Sequence, residues 1–76
     1  MKDLKFVWEF FGSDSELLAK HHLNHLKEFL FKEEIIFSKI GTNKESLNFS
    51  YSFVILNSSY LEIIKSSLKP HKAFKV

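Results

Sequence analysis

The residues best suited to chemistry sit close together in the run His21-His22-Leu23-Asn24-His25. Imidazole changes charge near neutral pH and is the commonest metal ligand. Two histidines four residues apart on a helix project from one face a turn apart and can share a metal ion. His21 and His25 have that spacing, and Glu28 supplies a third ligand one turn further on. The metalloprotease form of this pattern also needs Glu directly after the first His, and position 22 is His. The competing reading leaves His21 and His25 in water and treats His22 as a partly buried ring with a hydrogen-bonded nitrogen. Burial would then lower the His22 pKa, protonation would oppose folding, and His22 would act as a pH sensor.

The element that must position these rings is a helix over residues 13–33. Ser13 as N-cap with Glu16 three residues later is a capping-box pattern. The interior lacks Gly, Pro and β-branched residues, and Glu16–Lys20 and Glu28–Lys32 are i,i+4 pairs in the favourable order. At about 100° per residue, Leu18, Ala19, Leu23, Leu26, Phe29 and Leu30 gather on one side. His22 falls among them, His21 points away, and His25 lies at the boundary. Leu17 and Phe31 fall on the otherwise polar side.

Before this helix, residues 4–11 alternate as a strand, with Leu4, Phe6, Trp8 and Phe10 on the buried face and Lys5, Val7, Glu9 and Phe11 on the other. After it, residues 34–40 read as a second strand whose inner face the alternation does not choose, followed by a polar hairpin loop over 41–46. Residues 47–56 show the cleanest alternation in the chain. It puts Leu47, Phe49, Tyr51, Phe53 and Ile55 inside and Asn48, Ser50, Ser52 and Val54 outside. Ser59 and Glu62 repeat the capping box at the start of a second helix, which Pro70 stops by about Lys69. Phe74 and Val76 suit a brief last strand. One domain over residues 1–76 follows. It is α+β, with two helices on one face of a three- to four-stranded antiparallel sheet, in the ferredoxin-like β-α-β-β-α(-β) order. Right-handed crossovers place the first and third strands in the centre.

Composition narrows the function classes. The chain has 76 residues, no Cys, 2 Gly and 9 Phe. Neither disulfides nor thiolate metal sites are available to so small a core. There is no Gly-rich phosphate loop and no G-x-S-x-G, so an enzyme is not expected and no cofactor is implied. The net charge is +2, carried by Lys without any Arg, which argues against sequence-specific nucleic-acid reading. A weak phosphate contact through Lys65, Lys69, Lys72 and Lys75 is the residual nucleic-acid reading. Base stacking on the sheet is disfavoured, because the expected outer residues of the third strand are mostly Asn and Ser. No export signal or spanning apolar run is visible, which points to the cytoplasm and away from membranes. The expectation is a non-enzymatic protein–protein interaction or regulatory module, with a homodimer as its simplest form. Its surface would be Val7, Phe11, Leu17, Phe31 and Val54. The alternative is a metal- or proton-responsive module on the histidines.

Overall fold

A computed structural model describes residues 2–76. The elements run β1 (Asp3–Phe11), α1 (Ser15–Lys32), β2 (Phe37–Ser46), β3 (Phe49–Asn57), a 3-10 turn (Ser58–Tyr60), α2 (Leu61–Leu68) and β4 (Lys72–Lys75). This is an α+β arrangement of two helices with a four-stranded antiparallel sheet in the order β2-β3-β1-β4. The first and third strands are central, and the last segment pairs with β1 as an edge strand. Among the described residues, no helix is long and apolar enough to cross a membrane.

The core is one cluster built from Phe6, Trp8, Leu26, Leu30, Ile35, Val54, Leu56 and Ile64. Both helices and the matching sides of β1 and β3 contribute, so both helices cover the same sheet face. The opposite face carries no helix. Trp8 reaches further than its ring packing: its Nε1–H donates to the Leu68 carbonyl at 2.8 Å and fixes the last turn of α2. That turn closes on Lys69 in the left-handed region, with its N–H donating to the Ile64 carbonyl at 3.2 Å. α1 ends similarly, with Glu34 at φ 54°. Glu34 N–H donates to the Phe31 carbonyl at 3.2 Å and Ile35 N–H to the Leu30 carbonyl at 2.9 Å. This is a Schellman motif formed without glycine, sealed by the apolar pair Leu30 and Ile35.

Several sequence expectations change at the element ends. The Ser13 capping box does not form, because the helix starts at Ser15 and its N-cap, Asp14, makes no side-chain cap bond. A tight connection replaces it. Gly12 takes φ 108°, its N–H donates to the Asn48 carbonyl at 2.8 Å, and Ser15 N–H donates to the Gly12 carbonyl at 3.0 Å. The Ser59 capping box does not form either: α2 has Tyr60 as N-cap without a side-chain cap bond, and Asn57 caps the preceding 3-10 turn, its side chain accepting from Ser59 N–H at 2.8 Å. The polar segment 41–46 is not a loop. It continues β2 as far as Ser46, and the turn moves to Leu47 and Asn48. An edge strand exposed to water tolerates such a sequence, and its lysines discourage unwanted strand addition.

The largest change concerns β3. Ser50, Ser52, Val54 and Leu56 are the buried residues, and Phe49, Tyr51, Phe53 and Ile55 lie on the open face. The expected inside and outside of this strand are exchanged. The physical reason is the helix above it. The Ser15 hydroxyl donates to the Ser50 hydroxyl at 3.3 Å, and His22 Nδ1 lies 2.7 Å from the Ser52 hydroxyl. Two short hydroxyls satisfied in this way allow the start of α1, with buried Ser15 and Ala19, to lie close to the sheet.

Candidate functional site

The open sheet face is an aromatic surface. Strand register places Phe49 beside Phe11, Tyr51 beside Glu9, Phe53 beside Val7 and Ile55 beside Lys5, with Phe74 of β4 on the far side of Lys5. Along β3 the ring centroids are 6.3 Å apart from Phe49 to Tyr51 and 6.1 Å apart from Tyr51 to Phe53. Phe11 stacks on Phe49 at 4.8 Å with planes 9° apart. Gly41 of β2 lies opposite Phe53, and a Cβ there would meet the ring at 3.4 Å. The glycine therefore lets the Phe53 ring lie low on the sheet.

Charge is set among the rings. The Lys5 ammonium lies 4.8 Å from the Phe53 ring centroid and 5.4 Å from that of Tyr51, in reach of both π clouds. Lys39 shares its cross-strand row, on the other side of Ile55. Glu9 is neutralised by Lys72, whose Nζ is 3.0 Å from the carboxylate. A shallow cavity of about 280 Å³ opens between these groups, lined by Lys5, Glu9, Phe49, Tyr51, Lys72 and Phe74 among others.

The histidines divide into separate environments. His21 and His25 face each other with Nε2 atoms 3.0 Å apart, and His25 Nδ1 lies 3.6 Å from Glu28. His25 thus points its two nitrogens in different directions, one at each neighbour. The expected metal trio of His21, His25 and Glu28 is a chain of contacts without a common centre. Among the described residues, no group of three or more His, Cys, Asp or Glu side chains is placed to hold a metal ion. His22 packs its ring against Trp8 at 5.0 Å and Phe10 at 5.5 Å while bonding Ser52. Burial pushes its pKa below the ordinary imidazole value, and electrostatic coupling to His25 and His71 acts in the same direction. His71 is far from this trio in sequence and serves the sheet. Its Nδ1 accepts the Glu9 N–H at 2.7 Å and its own N–H donates to the Val7 carbonyl at 2.9 Å, which extends the β4 ladder beyond the strand.

The surface residues expected from sequence separate as well. Phe11, Leu17 and Phe31 are exposed, at 67%, 68% and 88%. Val54 is fully buried in the core, because β3 turns its even-numbered side inward. Val7 does lie on the open face, but only 5% of it is accessible, since Phe53 and Lys72 flank it in register. Neither valine offers a contact surface. The four C-terminal lysines are spread over several elements, with Lys65 and Lys72 lining one cavity between α2 and β4. Lys65 is on α2 and Lys69 follows it, while Lys72 and Lys75 fall on opposite sides of β4, opposite Val7 and Leu4.

Sequence reasoning placed Lys5 on the outer face of the first strand but missed Phe49, Tyr51, Phe53 and Phe74 as surface groups. The signal that finds them is on the helix. Ser15 and Ala19 lie a turn apart, and such small residues mark where α1 meets a strand of equally small residues. A second feature was missed at the end of α1. Phe31, Ile36 and Phe37 surround a cleft of about 530 Å³ floored by Leu30 and Ile35, with Lys27 and Glu34 as its charged lining residues. Compared with known proteins, the chain matches no family model, no curated protein and no solved structure.

Proposed function

We propose that this chain is a non-enzymatic interaction module whose open sheet face is a stacking platform for single-stranded nucleic acid. The carrying observation is the outward row Phe49, Tyr51 and Phe53 with the Lys5 ammonium set among its rings. Aromatic side chains on an open sheet accept bases on their π faces, and cations beside them meet the phosphates. The objection raised by the sequence, that Asn and Ser would face outward, does not apply to a strand that buries its serines. The fold plan is part of this reading. The order β-α-β-β-α-β with β1 and β3 central is read as the ferredoxin-like, split βαβ plan, which leaves one sheet face open when both helices lie on the other.

Lys5 and Lys39 are the cations of the face that no acidic side chain among the described residues pairs, so the electrostatic part is small. With two phosphates neutralised, log affinity should fall with log salt at a slope of about −1.4. Stacking should dominate, at about 1–3 kcal/mol per base. The test is fluorescence anisotropy with labelled oligothymidine and oligouridine at about 20 mM and about 200 mM salt. Binding that weakens about tenfold or more in Tyr51→Ala and in Phe53→Ala supports the reading. Absence of binding to either oligomer at low salt sinks it. The face would then be left to a protein partner, the class expected from sequence.

A further inference from the structure

A second surface, independent of the sheet face, lies at the end of α1. Its cleft of about 530 Å³ is lined by Lys27, Leu30, Phe31, Glu34, Ile35, Ile36 and Phe37. Phe31 is 88% exposed and Ile36 80%, although both adjoin the buried pair Leu30 and Ile35. A large ring raised beside an apolar hollow is a knob and a hole on one surface. The charged lining is also of two signs, Lys27 and Glu34, and among the described residues neither forms an ion pair within the chain.

We infer that this surface is a two-fold interface with a second copy of the chain, each Phe31 entering the other's cleft and each Lys27 meeting the other's Glu34. A two-fold contact is isologous, so one patch must complement itself. A patch holding a knob, a hole and one charge of each sign meets that condition. A partner of different sequence would need none of these to coincide. The neighbouring edge strand does not provide the contact. β2 presents Lys39 and Lys44, and edge lysines oppose strand-to-strand addition. The union therefore runs through side chains, and with few residues involved it is a small interface of about micromolar strength.

Sedimentation equilibrium of the full chain from low to high micromolar concentration tests this. The parent should pass from monomer to dimer. Lys27→Glu sets like charges face to face at both symmetric contacts, and should weaken dimerisation about tenfold or more, as should Glu34→Lys. The double variant Lys27→Glu/Glu34→Lys restores opposite charges and should return close to the parent. Phe31→Ser removes the knob and should leave a monomer. Far-UV circular dichroism guards against misfolding, and position 34 stays non-glycine in every variant, so its backbone cost is unchanged. A parent that remains monomeric throughout overturns the inference. So does a dimer indifferent to the single charge reversals and to Phe31→Ser, which would put the contact elsewhere.

Discussion

The exchange of faces on β3 can be tested by placing the same charge on each side of the strand. In Ser52→Lys the new side chain replaces a fully buried residue that lies between Trp8 and Thr42 in register. It would strand an ammonium beneath α1 and remove the hydroxyl that His22 Nδ1 meets at 2.7 Å. A buried charge without a partner costs about 3–5 kcal/mol. In Tyr51→Lys the ammonium reaches water from the open face, its stem lying along the neighbouring rings. The main loss is the pair of aromatic contacts to Phe49 and Phe53, about 0.5–1.5 kcal/mol each, beside the exposed contacts of the ring to the Lys5 ammonium and of the hydroxyl to Asn43 Nδ2–H at 3.2 Å. At about 0.05–0.15 kcal/mol per residue, a chain of 76 residues has a total stability of about 4–11 kcal/mol. Ser52→Lys therefore consumes much of it, and Tyr51→Lys a minor part. The two should differ by about 2 kcal/mol, or about 8–16 °C in Tm for a domain of this size. Thermal and urea unfolding followed by far-UV circular dichroism measures both. If Tyr51→Lys proved the more damaging of the two, the apolar side of β3 would be the inner one and the open aromatic face would not exist.

Two further outcomes follow from the ends and the underside of α1. The His22 pKa is lowered in the folded chain, so the unfolded chain takes up its proton first as pH falls through the ordinary imidazole value of about 6.5. Above that pH the group contributes nothing; below it stability is lost until the folded ring also protonates. His22→Gln keeps a hydrogen-bonding side chain near Ser52 without the titration, and its acid-unfolding midpoint should lie at lower pH than the parent's; coincident midpoints would refute this. Glu34 holds φ 54° at the Schellman turn, a region that costs a residue with a Cβ about 1 kcal/mol. Glu34→Gly should therefore stabilise by up to about 1 kcal/mol in urea unfolding at low micromolar protein, and a loss of stability would show that the Glu34 side chain matters more than its backbone.

Much of the architecture was legible because local signals there agree with burial. Residues 4–11 alternate and pair on both sides, so β1 was visible with the right face inward. The α1 stripe was visible because Leu26 and Leu30 are both apolar and buried. Two of the failures share an origin, which is that polarity was taken for exposure. Segment 41–46 is polar and lies in a strand, since the edge of a sheet needs no apolar side chain. Ser50 and Ser52 are polar and buried, since their hydroxyls find partners on α1. The division of the histidines was legible from the helix wheel, His22 packing inward and His21 and His25 staying at the surface, but their ring orientations were not. Whether His25 aims both nitrogens at one point with its neighbours, or at two separate ones, depends on rotamers that spacing does not encode.

The serines also explain why the aromatic residues are outside. α1 runs along β3: Ser15 meets Ser50 near its start, His22 meets Ser52 in the middle, and Leu26 and Leu30 join Val54 and Leu56 in the core. Side-chain size grows along both elements together. Turning β3 over would put Phe49 and Tyr51 beneath the small residues Ser15 and Ala19, where the close approach of the helix leaves no room for a ring. Overpacking of that kind costs about 1–3 kcal/mol even for added methylenes. It would also strand Ile35 and Ile64 above a strand lacking Val54 and Leu56, and leave His22 facing a ring instead of a hydroxyl. The small residues at the start of α1 thus hold the Phe49, Tyr51 and Phe53 row on the open face. A surface maintained by the packing beneath it is pre-organised, and a partner that stacks on it has little side-chain ordering left to bring about.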